Sequence, residues 1–571
     1  MLYRILIWGG AALVGLYVVL AAIVYLNPAT RVVYDKADPK VIDFSYLNGL
    51  DAGGRETFYH LSQGSEIMPI RWLRAIEDPA TGRPFMENLD RFGLLPDPDR
   101  NDGLPVGMTL SKPYPIVGQM AGITCAACHV AEFRFAGKGV RVDGSPNMFD
   151  MQAFYEAMLN AAQGTISDPG RFNRAAERLV RQDLDRYGPF GPVVRVYFWV
   201  TGAGRAAAFR DDLKARIELL KVINTAIARR EANAKPGEAT TSGFGRLDAF
   251  NGTRNFLLGR LSEANLVPLA APVKFPPIWG FKDYEWIEWT QNTNSVLERN
   301  VTETLGAGAT VSLDPGPARF QSSVPVRNLH QLEVTAYGIR PPAWPAAVFG
   351  QADAAAAARG RQLFQAHCAS CHEYGPETLT SMGLVRLRTF GPEELGVDAS
   401  AAQQVAAPVA DVGDLPLGGS HSFAKAVAFV VNGIRNKAYV QDGVSPAEQA
   451  QMEDRARRGG VYWRDTLLET GKPYAARPLH GVWAMAPYLH NGSVPTLYDL
   501  LLPPERRPRQ FPIGQRDFDP KKVGYRTDAP LASAKYVVDT TKPGNANTGH
   551  AYGAVLTDPQ RWDLVEYLKT Y

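Results

Sequence analysis

The sequence CAACH at residues 125–129 recurs as CASCH at residues 368–372, and these two stretches hold all four cysteines of the 571-residue chain. Each has the spacing C-x-x-C-H, the signature of covalent attachment of c-type haem. The two thiols form thioethers with the haem vinyl groups, and the histidine that follows binds the iron. The two stretches therefore predict two covalently attached c-type haems in one chain.

The residues that this prediction assigns are the cysteines, as attachment points, and the two histidines, as iron ligands. They are Cys125, Cys128, His129, Cys368, Cys371 and His372. A zinc site or a redox dithiol is the alternative interpretation of each C-x-x-C pair. A zinc site would require the pairs to converge across about 240 residues, and it would not require a histidine directly after each pair. We therefore expect haem at both stretches.

The composition favours a globular protein and argues against a nucleic acid as partner. The length suits two or three domains. The apolar content of 45% and the charged content of 21% are ordinary for a folded protein. The 61 basic and 58 acidic residues give a net charge of +3 without a long run of one sign. Such a balanced chain offers no polyanion-binding surface, so we expect no nucleic-acid partner.

Residues 5–26 contain no charged residue and follow Arg4. As a helix they would extend about 33 Å, enough for a hydrocarbon core of roughly 30 Å. We therefore expect a transmembrane anchor over residues 1–27, with the rest of the chain on the periplasmic side of the bacterial inner membrane, where covalent c-haem is assembled. The alternative is a cleaved signal peptide and a secreted protein, since a signal peptide needs an apolar region of only about 7–15 residues.

Residues 340–345, RPPAWP, mark a domain boundary because three prolines oppose regular structure there. The expected organisation is an N-terminal haem domain over residues 28–340, divergent and with insertions, and a C-terminal cytochrome-c-like haem domain over residues 341–571. The predicted fold class is mainly α: two cytochrome-c-like haem domains with long loops, preceded by one N-terminal transmembrane helix. The alternating residues 137–144 predict a short hairpin or loop after the first motif.

The second haem domain has recognisable first and last helices. Asp353 is the expected N-cap of a helix that carries Gly360 and Phe364 on one face, just before the second cysteine pair. This spacing is similar to the first helix of class I cytochromes c, where the small residue lets a second helix approach. Asp558 is the expected N-cap of that second helix, at the end of the chain, and Pro559 is its expected first residue.

Several segments together resemble the di-haem cytochrome c peroxidase superfamily, most closely its rubber-oxygenase-type branch. They are residues 122–129, 137–138, 142–144, 298–300, 341–345 and the loop 486–497, APYLHNGSVPTL. The resemblance extends from about Tyr59 to the end of the chain. It implies two covalent haems, one that reacts with peroxide or dioxygen and one that relays electrons.

The sixth iron ligand decides what each haem does, because a second strong protein ligand favours electron transfer and an open position permits reaction with peroxide or dioxygen. The chain has no histidine between His129 and His330, whereas bacterial peroxidases of the superfamily have a distal histidine soon after the first motif. We therefore expect the first haem to be the reactive one. Met148, Met151, Met158 and His60 are the alternative ligands.

Aromatic residues cluster in residues 275–289, and Trp279, Trp286 and Trp289 are the candidates for a distal pocket or an electron relay between the haems. Core packing is the alternative role. Glu303 is the candidate distal acid or base, because the resemblance implies a glutamate in this stretch; a solvated glutamate at a helix end is the alternative. Arginines near the motifs are interpreted as surface or structural residues. They are Arg134, Arg141, Arg299 and Arg327.

His550 is the expected sixth ligand of the second haem. It lies in residues 544–553, a loop rich in glycine and asparagine that can approach a flat macrocycle closely. The alternatives are His490, Met485, His421 and His480. Two imidazoles would suit this haem to electron relay.

These observations predict a di-haem oxidoreductase that uses peroxide or dioxygen, with an electron donor or apolar organic substrate as second partner. A non-catalytic electron carrier is the alternative, in which both irons have six ligands. A third interpretation is radical modification of a partner protein, as in the related enzyme that matures tryptophylquinone cofactors.

Overall fold

The computed structural model describes residues 43–47, 49–100, 102–114, 118–187, 239–417, 421–453 and 470–571, with Trp8, residues 13–16, Val19, Arg210 and Lys214. Helices predominate in these residues, and short strands are scattered between them.

The α-helices in the described residues before 340 include one that carries the first cysteine pair. They are α1 (Ala52–His60), α2 (Ile70–Leu73), α3 (Cys125–His129), α4 (Met151–Ser167), α5 (Pro169–Tyr187), α6 (Ala249–Leu257), α7 (Val296–Gly306) and α8 (Val326–Ala336). Those after residue 340 are α9 (Ala346–Phe349), α10 (Ala354–His367), α11 (Ala369–His372), α12 (Pro392–Leu395), α13 (Ser400–Ala406), α14 (Phe423–Gln441), α15 (Pro446–Met452), α16 (Leu497–Leu500) and α17 (Asp558–Lys569). Short 3-10 helices occur at Phe85–Phe92, Glu263–Asn265, Phe281–Asp283, Pro376–Thr378, Val482–Met485, Pro504–Arg506, Leu531–Ser533 and Ala551–Gly553.

The strands form small sheets. They are β1 (Asp43–Leu47), β2 (Met68–Pro69), β3 (Met108–Leu110), β4 (Met120–Ile123), β5 (Val130–Phe135), β6 (Lys138–Asp143), β7 (Arg246–Leu247), β8 (Val273–Lys274), β9 (Thr389–Phe390), β10 (Pro408–Val409), β11 (His421–Ser422), β12 (Tyr474–Ala475), β13 (Gln510–Ile513), β14 (Phe518–Asp519), β15 (Gly524–Tyr525) and β16 (Tyr536–Asp539). Two three-stranded sheets have the orders β1-β6-β5 and β2-β4-β3, and the other strands pair as β7-β8, β9-β12, β10-β11, β13-β16 and β14-β15.

Residues 137–144, for which the sequence predicts a short hairpin or loop, contain the second strand of a hairpin that begins earlier, at Val130. Strands β5 and β6 pair antiparallel from Val130 opposite Asp143 to Phe135 opposite Lys138. Ala136 and Gly137 close the turn with φ of 49° and 79°, the positive values that a tight two-residue hairpin requires. The hairpin follows His129 directly, so it fixes the C-terminal end of the motif.

The predicted contact between the first and last helices of the second haem region is confirmed. A Cβ on Gly360 would lie 2.0 Å from the carbonyl oxygen of Asp563, so only glycine permits this approach of α10 to α17. The Phe364 ring is 4.9 Å from the Tyr571 ring. Thr557, not Asp558, is the N-cap of α17, and its backbone N–H donates to the Gln560 side chain.

Helix α14 belongs to the part of the sequence after residue 340, but it packs against α7, which lies before that residue. Its apolar face joins one buried cluster with Leu297, Val301 and Leu305 of α7. Arg435 of α14 pairs with the buried carboxylate of Glu298 at 3.3 Å. The two parts of the sequence are therefore interleaved around the first site.

The predicted fold class is wrong in its N-terminal transmembrane helix. Among the residues that the structure describes, none of the helices combines the length and apolar character needed to cross a membrane. Residues 1–27, where the anchor was predicted, lie outside the described residues apart from Trp8, residues 13–16 and Val19. The prediction used only length and hydropathy, and an uncharged stretch of 22 residues meets both criteria without thereby specifying a membrane span.

Candidate haem sites

The first motif is a single helical turn held between two sheets. Helix α3 begins after Thr124, whose backbone is extended, and its C-terminal residue His129 is followed at once by β5. Cys125, Cys128 and His129 all line one cavity that encloses about 1100 Å³ not filled by protein atoms. The two thiols are not joined in a disulfide. Both attachment groups and the imidazole therefore face the same space, as covalent haem requires.

This first cavity is mostly apolar. Phe250, Phe275 and Phe423 line it, together with a polar group that includes Arg299 and Glu303. The walls therefore suit a large flat ligand with an apolar body and a few charged groups.

His129 is buried, and its Nδ1 atom has no hydrogen-bond partner within the described part of the chain. Burial and the nearby Arg299 lower the pKa of His129 well below its usual value. A neutral imidazole with a ring nitrogen left unpaired is the form that ligates a metal. The residues of the first cavity fit c-type haem.

Arg299 and Glu303 bring a charged pair into this apolar cavity from one face of α7. Arg299 donates from Nη1 to Glu303 at 2.6 Å and from Nε to Glu288 at 2.6 Å. Burial raises the pKa of Glu303 to about 7, although Arg299 opposes that shift. A carboxylate with a raised pKa at the cavity wall is suited to acid–base chemistry. Arg299 is buried and lines the cavity, so it is not a surface residue.

The second motif joins two helices. Cys368 ends α10, and α11 carries Cys371 and His372. These three residues line a second cavity of about 1440 Å³. His372 Nδ1 lies 2.7 Å from the backbone carbonyl of Arg477. That contact fixes the ring and leaves Nε2 for a metal, as the second shell of a ligating histidine does.

His550 lies opposite His372 in the second cavity. The two ring centroids are 6.1 Å apart, with an angle of 57° between the ring planes. Two imidazoles that bind one metal from opposite sides, with bonds of about 2 Å, have centroids roughly 6 Å apart. His550 Nδ1 is buried without a hydrogen-bond partner in the described residues, and burial lowers the pKa of His550 to about 3. The residues of the second cavity fit a haem with two histidine ligands.

The loop that carries His550 is held in a strained conformation. His550 has φ of 47° and ψ of 46°, a left-handed conformation that costs a residue with a Cβ about 1–2 kcal/mol. Its N–H donates to Leu395 O at 2.8 Å. Arg507 donates to the carbonyls of Asn547, Gly549 and His550, at 2.6, 2.8 and 3.2 Å. Sequence reasoning missed Arg507, because nothing in its neighbourhood along the chain links it to this loop.

The other candidate ligands of the second haem have different surroundings. His490 and Met485 line the cavity, but His490 Nε2 lies 3.2 Å from the Tyr474 hydroxyl. His480 stacks on Tyr571 with ring centroids 4.9 Å apart, and it does not line this cavity; neither does His421 of β11.

The alternative ligands predicted for the first haem differ in whether they line the first cavity and in whether they have other partners. Met151 lines the first cavity, whereas Met148 and Met158 do not. His60 uses both ring nitrogens, at 2.9 Å from Met108 O and 2.8 Å from the Asp97 carboxylate.

The three candidate tryptophans do not form one group. Trp289 lines both cavities, so it forms part of the wall between them. Trp279 and Trp286 are buried and line neither cavity. Trp279 donates to His480 O at 3.1 Å, as core packing predicts. Lys274, which the sequence did not indicate, shares the wall with Trp289.

Residues 473–512 match a family described as RoxA-like, cytochrome c-like. This stretch supplies Arg477, Met485 and His490 to the lining of the second cavity, and Arg507 to the support of its loop. The match indicates a relationship to RoxA-like cytochromes c over these residues. A cytochrome c-like segment implies a c-type haem with its iron, which is consistent with an oxidoreductase.

Two proteins of Sinorhizobium fredii (strain NBRC 101917 / NGR234) are similar to the chain over long stretches. The uncharacterised protein y4iJ is 31% identical over 600 residues, which cover 93% of this chain and 94% of y4iJ. The uncharacterised protein y4iM is 29% identical over 361 residues, 59% of this chain and 72% of y4iM. The chain belongs to the y4iJ family.

Proposed function

We propose that the chain is a di-haem c-type cytochrome oxidoreductase that activates peroxide or dioxygen at the first haem and relays electrons through the second. One contrast carries this proposal. His550 stands opposite His372 in the second cavity, whereas His129 is the single histidine among the described residues that line the first cavity. The second cavity would thus offer an iron two strong ligands, His372 and His550, whereas the first would offer it one histidine.

A haem iron with an open position supplies binding and reduction of peroxide or dioxygen. The chain supplies the surroundings of that reaction. His129 would bind the iron, and Cys125 and Cys128 would attach the haem covalently. Cleavage of a peroxide requires a proton to move from the inner to the outer oxygen. The Glu303 carboxylate oxygens, with a pKa of about 7, are suited to accept and return it, and Arg299 holds the side chain in place.

In the second cavity, His372 and His550 leave no position for an exogenous ligand, so this site suits electron relay. Trp289 is the aromatic group of the wall between the two cavities, and we assign it the relay between the haems. Trp279 and Trp286 then serve as core residues.

The second reactant is an electron donor or an apolar organic substrate. The three phenylalanines of the first cavity support an apolar molecule. Because covalent c-haem is assembled outside the cytoplasm, we place the protein in the periplasm or outside the cell.

A non-catalytic electron carrier is the second candidate function. It is favoured by one observation, that the Met151 thioether lines the first cavity. Methionine is a common sixth ligand in electron-transfer cytochromes. If Met151 binds the first iron, both sites are closed and no substrate reaches a metal.

Exogenous ligands distinguish the two functions. The purified protein is reduced and exposed to carbon monoxide, or left oxidised and exposed to cyanide, while the haem spectra are recorded. The enzyme is supported if one haem binds the ligand and the other keeps its spectrum. The same titration of Met151→Leu shows whether Met151 controls access. If neither haem of the wild type binds a ligand but one haem of Met151→Leu does, the protein is a non-catalytic electron carrier and the enzyme proposal is wrong.

The number of haems is measured separately by the pyridine haemochrome assay. Wild type is expected to hold two haems per chain, and Cys125→Ala/Cys128→Ala and Cys368→Ala/Cys371→Ala one each. A wild-type value of one haem per chain would overturn the di-haem assignment.

A further inference from the structure

Arg477 reaches the second cavity with a buried guanidinium. It follows β12 and is 5% exposed. Its backbone carbonyl contacts His372, and its side chain lines the cavity. Arg477 therefore contacts the proximal histidine through its main chain, and its charged side chain lines the cavity that would hold the haem.

The guanidinium is only partly satisfied by protein atoms. Its Nη1 atom donates to Pro277 O at 3.3 Å. Its Nε and Nη2 atoms are buried without a hydrogen-bond partner among the described residues. Leaving a buried charged donor unpaired is more costly than leaving a neutral one unpaired. An acceptor is therefore missing at this point of the cavity.

Two aromatic rings lie beside the Arg477 guanidinium. The Arg477 Cζ atom lies 4.8 Å from the Trp289 ring centroid and 5.2 Å from the Phe281 ring centroid. Rings beside the guanidinium exclude water. Nε and Nη2 are adjacent donors on one edge of the planar guanidinium. Such an edge can bind a carboxylate through two parallel hydrogen bonds.

We propose that Nε and Nη2 of Arg477 bind a propionate carboxylate of the haem in the second cavity. This inference rests on the proposed function, because it requires the haem attached to Cys368 and Cys371. Arg477 then anchors the haem at its carboxylate edge while its carbonyl orients His372, so one residue sets both the tilt of the ring and the direction of its ligand.

The carboxylate also changes the charge beside the relay. The Arg477 guanidinium is the cation beside the Trp289 ring. The Lys274 Nζ atom is 5.7 Å from the same ring centroid and donates to the carbonyls of Met485 and Pro487, but burial lowers the pKa of Lys274 to about 7. A propionate on Arg477 would neutralise the guanidinium, and electron loss from Trp289 would then be less unfavourable.

The test compares Arg477→Met and Arg477→Lys with the matched control Arg388→Met. Arg388 also acts on His372 electrostatically, but its guanidinium donates to the carbonyls of Cys371 and Glu373. Three quantities are measured in each protein: haems per chain, the reduction potential of the second haem, and the propionate bending bands of its resonance Raman spectrum.

Arg477→Met is expected to lower the potential, because loss of the cation leaves the propionate uncompensated and favours the ferric state. The propionate bands should shift as well. Arg477→Lys keeps the charge but not the two-point contact, so its bands should shift with a smaller change of potential. Arg388→Met should leave the propionate bands unchanged.

Unchanged propionate bands in Arg477→Lys, with two haems attached, overturn the assignment even if Arg477→Met fails to fold. A wild-type potential that depends on added formate also overturns it, since the site would then hold an exchangeable anion. Absence of haem on Cys368 and Cys371 in wild type is a different result, seen in the haem count, and it removes the proposed function together with this inference.

Discussion

The imidazole rings of His372 and His550 face each other across the second cavity with their centroids 6.1 Å apart. The residues are 178 positions apart in the sequence. The His372 ring contacts the Arg477 carbonyl through Nδ1, and the backbone of His550 is held by its N–H, which donates to the Leu395 carbonyl. The separation that two metal bonds require is therefore built into the protein scaffold.

His550→Ala is expected to convert the second haem from low-spin to high-spin while His372 retains it. The physical reason is that removal of one imidazole lowers the ligand field on the iron. Absorption and EPR spectra measure the change. His490→Ala is the matched control, because His490 lines the same cavity and should leave the low-spin signal intact. The reverse pattern would assign the ligand to His490.

Arg507→Met is expected to loosen the loop that carries His550. The variant leaves the loop carbonyls without their donor, and hydrogen bonds to a charged group are worth about 1.5–3 kcal/mol each. We expect the free energy of unfolding to fall by about 3 kcal/mol and a fraction of the second haem to become high-spin at elevated temperature. The measurements are denaturant unfolding and temperature-dependent spectra.

Arg506→Met is the control for Arg507→Met. Arg506 is the neighbouring residue, and it is exposed, so its loss should change neither quantity. If Arg507→Met remains entirely low-spin up to unfolding, Arg507 stabilises the fold without positioning His550.

The parts of the structure that sequence predicted correctly are those that local rules control. The Asp353 cap, the approach at Gly360 and the hairpin after His129 each depend on a few neighbouring residues and their conformational preferences. The first residue of the last helix was misplaced by one position, because Thr557 and Asp558 are both good caps and the Gln560 contact decides between them.

The composition of the cavity walls could not be predicted from sequence. Phe423 reaches the first cavity from α14, a helix that follows the second motif. Trp279, Trp286 and Trp289 lie in one aromatic-rich stretch, and the sequence does not distinguish them. Only tertiary packing places Trp289 in the wall between the cavities and the other two in the core. Arg477 carries no local signal at all. The N-terminal transmembrane prediction was wrong, because the length and hydropathy on which it was based do not by themselves specify a membrane span.

Trp289→Phe is expected to slow electron exchange between the haems. Trp289 lines both cavities, and phenylalanine is harder to oxidise than tryptophan. The rate is measured by reducing one haem rapidly and following the spectrum of the other. Trp279→Phe is the matched control, since Trp279 lines neither cavity. Equal rates in wild type and Trp289→Phe would remove Trp289 from the relay.

Glu303→Gln is expected to slow the reaction with hydrogen peroxide by about 10²–10⁴-fold, the usual contribution of a general acid or base. Burial raises the pKa of Glu303 to about 7. Below that pH the carboxyl group holds its own proton and cannot accept one from peroxide. The wild-type rate should therefore rise with pH through about 7, and the rate of Glu303→Gln should show no such rise. Stopped-flow mixing across pH 5–9 measures both, a range about two pKa units on either side of 7.

Glu288→Gln is the control that assigns this pH dependence to Glu303. Glu288 shares Arg299 with Glu303, and its negative charge raises the pKa of Glu303. Removing that charge should lower the pKa of Glu303, so the rise in rate should move to lower pH while the maximal rate is retained. A midpoint unchanged in Glu288→Gln, or a rise that persists in Glu303→Gln, would mean that another group moves the proton.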